Sequence, residues 1–151
     1  GFELRAAVAP YTGGGYMHTT DDRTPVTFIT RYYLDKIKRL CDAHGTKLLF
    51  VTAPSPVNHT MQRHNEVQAL ADALAVPYLD LNLNTEELGI DWNLDTLDGG
   101  DHLNYTGCQK ATAYLQRYMQ THYTLPDRRD DVRYEAWNKQ AEEFEKLLPQ
   151  P

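Results

Sequence analysis

The run Lys47-Leu-Leu-Phe-Val-Thr-Ala53, closed by Pro54-Ser55-Pro56, limits the fold of this 151-residue chain more than any other stretch. Its apolar residues follow one another without polar alternation. A strand with one wet face alternates, so the run predicts a strand covered on both faces, as in a parallel sheet lying between layers of helices. The prolines end it, because proline has no N–H to give to a ladder. Val76-Pro-Tyr-Leu-Asp-Leu81 predicts a second short strand.

Helical spacing surrounds both strands. From Pro25, a residue suited to a first helical turn, Val26, Ile29, Tyr33, Ile37, Leu40 and Cys41 recur on one face until Gly45, a good stop. Val67, Leu70, Ala71 and Leu74 mark a second helix, and Cys108, Ala111, Thr112, Leu115 and Met119 a third, for which Asn104 is the expected N-cap. The charged connector Leu125-Pro-Asp-Arg-Arg-Asp-Asp131 leads to a last amphipathic helix carrying Tyr134, Trp137, Ala141, Phe144 and Leu148. Helix and strand alternate, which predicts a single α/β domain over residues 1–151 with right-handed crossovers. Within it, residues 1–24 are a loop or weak strand, 25–122 the α/β core, and 123–151 a connector and helix. The expected architecture is three-layer and flavodoxin-like, a parallel sheet with flanking helices.

Two strands do not make a stable parallel sheet, and strands covered on both faces need neighbours at both edges. Either Phe2 to Val8 adds a third strand, or this chain is the C-terminal part of a larger domain that is incomplete here at its N-terminal side. An uncovered edge is expected to produce edge-paired or swapped oligomers.

Charge and spacing exclude several function classes. Fifteen Lys and Arg against 21 Asp and Glu give a net charge of −6, unfavourable for a phosphate backbone, so no nucleic-acid partner is expected. This chain has no apolar run long enough to span a bilayer and no leader at its start. Cys41 and Cys108 lack Cys/His metal spacing and fall on apolar helix faces, where free thiols are common. The Gly13-Gly14-Gly15 run lacks the pattern and the strand-to-helix setting of a phosphate cradle. Glu86, Glu87, Asp91, Asp95 and Asp98 do not match a calcium loop and read as a solvated acidic loop pinned by Trp92. No metal and no cofactor are expected.

Chemistry concentrates in Asp98-Gly-Gly-Asp-His102-Leu-Asn-Tyr-Thr-Gly107. A histidine held just before a helix, with Asp98 and Asp101 close by, is placed as a general base whose acid fixes the ring tautomer. Turn and capping roles are the alternative. Asp98 is the better partner for His102, because side chains of neighbouring residues diverge in extended chain, whereas Gly99-Gly100 can fold Asp98 back toward Nδ1. Asp101 is then expected to accept backbone N–H groups at the helix start. Asn58, His59 and His64 follow the first strand on the same edge and are candidates to line the cleft, against loop and helix-capping roles as the favoured alternative. With Asn104, Asn58 and His59 are the candidate substrate-binding residues. Ser55 is the chain's only serine, and its flanking prolines argue against a nucleophile.

Lys47-Leu-Leu-Phe-Val-Thr-Ala-Pro-Ser-Pro56, Tyr78-Leu-Asp-Leu-Asn82, Gly89-Ile-Asp-Trp92 and Asp98-Gly-Gly-Asp-His-Leu-Asn104 together resemble the C-terminal half of SGNH/GDSL-type hydrolases. The likeness covers roughly residues 25–122 and is greatest to the bacterial, membrane-tethered branch. In that family the closing block supplies the Asp and His of a Ser-His-Asp triad, which implies His102 as base and Asp98 or Asp101 as its partner. The family spacing is D-x-x-H, and here Gly99 stands where the acid is usual. The family's Gly-Asp-Ser block and its oxyanion-hole Gly and Asn have no counterpart in this chain. The resemblance implies an esterase or acyltransferase acting on acyl esters, among them acylated cell-surface glycans. It further implies an extracytoplasmic protein tethered through a segment outside this chain. The alternative is a non-catalytic binding or scaffolding domain that keeps the fold.

Overall fold

The computed structural model describes residues 4–148 and combines helices with a small parallel sheet. Helix α1 spans Phe28–Ala43. It starts three residues later than Pro25 suggests, because the Thr27 hydroxyl accepts the Thr30 N–H at 3.2 Å and so fixes the N-cap. Strand β1 is Phe50–Thr52, helix α2 Met61–Leu74, and strand β2 Tyr78–Asp80. The two strands run parallel, with Phe50 opposite Tyr78, Val51 opposite Leu79 and Thr52 opposite Asp80. A β1–α2–β2 unit therefore forms the centre of this fold. Thr60 caps α2 through the Arg63 N–H, and Ala75 ends it in the left-handed region at φ 51°. Leu70 and Ala71 of α2 are buried, as are Val76, Leu79, Leu81 and Leu88 around β2.

After β2 a 3-10 turn, Leu81–Asn84, leads into the one-turn helix α3, Thr85–Leu88, and a long loop then reaches α4, Tyr105–His122. The chain divides into two compact units, one ending at Leu115 and the other beginning at Gln116. The second contains the 3-10 turn Val132–Tyr134 and helix α5, Glu135–Glu145, with Asp127–Arg129 and Asp131–Arg133 ion pairs in its connector. Among the described residues no helix is long and apolar enough to cross a membrane. Cys41 and Cys108 are free and half-buried.

The structure corrects two expectations. The apolar run before Pro54 gives only three strand residues, and β1 is not covered on both faces, since Val51 is 42 % exposed. The cause is the size of the sheet: among the described residues β1 and β2 have only each other, and α1 buries none of its residues. Residues 4–8 add no strand to that sheet, and Phe2 lies outside the described residues. Instead the N-terminal stretch runs extended along the loop before α4. Arg5 O accepts the Tyr105 N–H at 2.7 Å, Ala9 N–H donates to Thr96 O at 3.0 Å, and Tyr11 N–H donates to Trp92 O at 2.9 Å. The rings of Tyr11 and Tyr16 meet Trp92 edge-on at 6.1 and 6.0 Å.

Phe28, Ile29, Tyr33 and Leu40 leave a continuous apolar stripe of α1 exposed at 60–80 %. Such a stripe and the free sheet edges favour association. The 151-residue chain should sediment as a concentration-dependent mixture of oligomers, and Ile29→Lys with Leu40→Lys should shift it toward monomer. A monodisperse wild-type monomer at every concentration would contradict this.

Candidate active site

The loop between α3 and α4 owes its shape to three buried polar residues. Asp95 is 1 % exposed, and its carboxylate accepts the Asp91 N–H at 2.7 Å, the Thr106 hydroxyl at 2.9 Å and the Lys110 ammonium at 2.5 Å. These donors and the Lys110 charge hold its carboxyl below the ordinary value despite the opposing effect of burial. Thr96 is fully buried, pairs with Leu103 in an antiparallel bridge, and accepts the Gly100 N–H on its hydroxyl at 2.6 Å. Asn104 donates to Leu94 O at 2.7 Å while its Oδ1 accepts the Gly107 N–H at 3.1 Å, the N-cap of α4. A side chain at Gly107 would run into the Asp95 carbonyl, so the helix start sits directly against this polar floor.

Above that floor the chain turns through Gly99 at φ 75° and Gly100 at φ 100°. Gly100 is needed twice over, since an added Cβ would also lie 2.8 Å from Tyr11 and 2.9 Å from Pro56. The turn brings Asp98 back onto His102. Asp98 Oδ2 lies 2.7 Å from His102 Nδ1, and Asp98 Oδ1 accepts the His102 backbone N–H at 2.7 Å. The carboxylate thus grips both ring and backbone of one residue. The Asp98 hydrogen bond, followed by the charges of Asp101 and Asp98, raises the His102 pKa, and the same hydrogen bonds lower that of Asp98.

Asp101 lies farther off, with Oδ2 3.7 Å from Nδ1, and its Oδ1 accepts the Asn58 side-chain amide. It does not cap α4, where Asn104 takes that role, so the expected cap at Asp101 is corrected to a side-chain contact. Ser55 fastens the loop from the opposite side: its hydroxyl donates to Asp101 O at 2.8 Å, and its N–H donates to Asn82 Oδ1 at 2.9 Å. That hydroxyl is engaged with loop backbone rather than with His102. Asp98, His102, Leu103, Asn104, Arg5 and Tyr105 line an open cleft of about 380 Å³. A second, mostly apolar cleft meets it at His102 and is lined by Val51, Ser55, Asp101 and Leu115.

The candidate residues therefore separate into two groups. His102, Asp98, Asp101, Asn58 and Asn104 come together at the loop. His59 does not join them, because it is buried and its Nε2 lies 2.8 Å from Asp80 Oδ2. His64 likewise points to Asp80, with Nδ1 at 2.8 Å. Asp95 departs from the solvated acidic loop expected around it, being buried and paired with Lys110, and Asp80 and Thr96 also carry structural weight, for which the one local signal is a carboxylate in the apolar strand Tyr78–Asp80. Comparisons with family models, with curated proteins and with solved structures returned no match.

The Asp98–His102 pair is solvent-accessible, and its pH dependence follows from the two shifts. His102, raised above its ordinary 6.5, contributes fully below that pH and loses its contribution as pH rises through the folded value. Asp98, lowered from 3.8, contributes fully above that pH and loses it as pH falls through its folded value. The pair is thus strongest between these two ordinary values. Ring-proton NMR titration should give His102 a pKa above 6.5, lowered more by Asp98→Asn than by Asp101→Asn. The reverse order would assign the ring to Asp101.

Proposed function

We propose that this chain supplies the base and acid of a serine-dependent ester hydrolase or acyltransferase of SGNH/GDSL type. The observation that carries the reading is the 2.7 Å contact between His102 Nδ1 and Asp98, on a ring that lines an open cleft. One ring nitrogen is fixed as donor to a carboxylate, which leaves Nε2 as the base. The resemblance in the closing block supplies the reaction class, and the nucleophilic serine belongs to a segment outside these 151 residues.

In this mechanism the serine oxygen attacks the acyl carbon of an ester while His102 Nε2 takes the hydroxyl proton. Asp98 stabilises the imidazolium that forms. The tetrahedral intermediate collapses, the alcohol leaves with the proton from His102, and an acyl-serine remains. His102 then deprotonates water, for hydrolysis, or a glycan hydroxyl, for transfer; that oxygen attacks the acyl-serine, and the serine oxygen leaves with the proton from His102. Asp101, held by Asn58 and Ser55, positions the loop beside the ring. Acylated cell-surface glycans are the proposed substrates, in an extracytoplasmic protein tethered by a segment outside this chain.

In the same reading, the β1–α2–β2 unit belongs to a three-layer, flavodoxin-like sheet, whose further strands would cover Val51 and whose packing would cover the apolar stripe of α1. A binding module without turnover is the rival, favoured by the exposure of the pair, 67 % for the His102 side chain and 41 % for Asp98.

Hydrolysis of a small acyl ester by the protein as it occurs in the cell tests the proposal. His102→Ala should abolish turnover, and Asp98→Asn should lower kcat by about 10³–10⁴-fold with little change in stability, as when a base loses tautomer control. The 151-residue chain alone should have no appreciable activity, for lack of nucleophile and oxyanion donors. Turnover by this chain that is lost on Ser55→Ala, or full activity in His102→Ala, would overturn the reading.

A further inference from the structure

A second polar cluster lies within the β1–α2–β2 unit, apart from the proposed chemistry. His59 follows β1, His64 lies in the first turn of α2, and Asp80 ends β2. His59 Nε2 and His64 Nδ1 each stand 2.8 Å from the same oxygen, Asp80 Oδ2, and the three atoms lie within 4.8 Å of one another. The carboxylate is almost wholly buried, with its side chain 1 % exposed. Among the described residues its ion-pair partners are these two imidazoles alone. The Tyr78 hydroxyl also donates to Oδ2, at 3.1 Å, so the carboxylate is well supplied with hydrogen bonds but has no Lys or Arg charge beside it among the described residues, and a bound cation would supply one.

We propose that His59 Nε2, His64 Nδ1 and Asp80 Oδ2 form a binding site for a divalent transition-metal ion of the zinc class. Two imidazoles and a carboxylate suit zinc, and they leave a fourth position for water. In a tetrahedral zinc site the ligand atoms stand about 3.3 Å apart, given bonds of about 2.0–2.1 Å. The observed 2.8 Å separations need open by only about half an ångström on that basis.

The surroundings are those of a supported ligand set. Asp80 Oδ1 accepts the Asn82 N–H at 3.0 Å and the Asn82 amide at 2.8 Å, which turns Oδ2 toward the histidines. Tyr78 stacks on the His64 ring, with centroids 5.5 Å apart, and fixes its plane. The His59 side chain is 7 % exposed and His64 16 %, so the ion enters past His64. On binding, the nitrogen of each ring that faces Asp80 presents its lone pair to the ion. Each neutral imidazole then carries its one proton on the nitrogen away from the ion. The site rests on none of the residues proposed for ester chemistry.

Titration of the chelator-stripped protein with zinc chloride, followed by calorimetry and by metal analysis after gel filtration, tests the proposal. One zinc per chain should bind, with a rise in melting temperature. Cobalt in its place should give the visible absorption of a tetrahedral centre. His64→Ala, at a partly exposed position and checked for native circular dichroism, should lose the site. Asn82→Ala should weaken binding by about 10–100-fold, as expected for a residue that orients a ligand. His102→Ala should keep zinc binding while losing ester turnover, so the two proposals fail separately. No zinc bound by the folded wild type, binding unchanged in His64→Ala, or binding lost in His102→Ala would each overturn the site.

Discussion

The exposed Asp98–His102 pair depends on a buried carboxylate beneath it. Asp95 collects an amide, a hydroxyl and an ammonium, and its own carbonyl accepts the Asn104 N–H at 3.0 Å. It thereby ties the end of one loop to the first turn of α4. Leaving such a carboxylate without its ion-pair partner costs about 3–5 kcal/mol when the pair is fully buried, and less here because the Lys110 side chain is 38 % exposed. Thr96 and Asn104 carry that order upward through the Leu97–His102 backbone bond and the Gly99–Gly100 turn. The loop that carries His102 therefore rests on buried groups, Asp95, Thr96 and Asn104, although the ring and its Asp98 partner are wet.

A chain of hydrogen bonds joins this loop to the sheet. Asp80 holds Asn82, Asn82 accepts the Ser55 N–H, and Ser55 donates to the Asp101 carbonyl. The short strands consequently position two polar clusters with different chemistry. At the end of β2 the histidines converge on one carboxylate oxygen, and beyond Ser55 the loop presents a carboxylate–imidazole pair. The prolines on either side of Ser55 suit this linking role, since they leave its hydroxyl and its N–H as the local donors.

Local signals in the sequence were readable where one residue type decides the geometry. Asn104 before a helical run meant an N-cap, Gly99-Gly100 meant positive φ, and both occur. The helices around Tyr33, Leu70, Leu115 and Phe144 followed from spacing alone. What spacing could not convey was depth. Val51 sits in an apolar run yet is exposed, because coverage depends on elements that a run of residues does not specify. His59 is a cleft candidate by its place after the first strand, but its partner Asp80 is 21 residues away and the two meet through the parallel pairing of β1 with β2. Residues 4–11 read as a loop or weak strand because their partners, Trp92, Thr96 and Tyr105, are distant in sequence.

The central claim is that His102 serves a serine that lies outside this chain. A fluorophosphonate reagent bonds covalently to serine only where a base has activated the hydroxyl, so peptide mapping after labelling of the native protein locates the nucleophile directly. One labelled serine outside residues 1–151, with labelling lost in His102→Ala, is the predicted result. Labelling of Ser55, or labelling that survives His102→Ala, would contradict it.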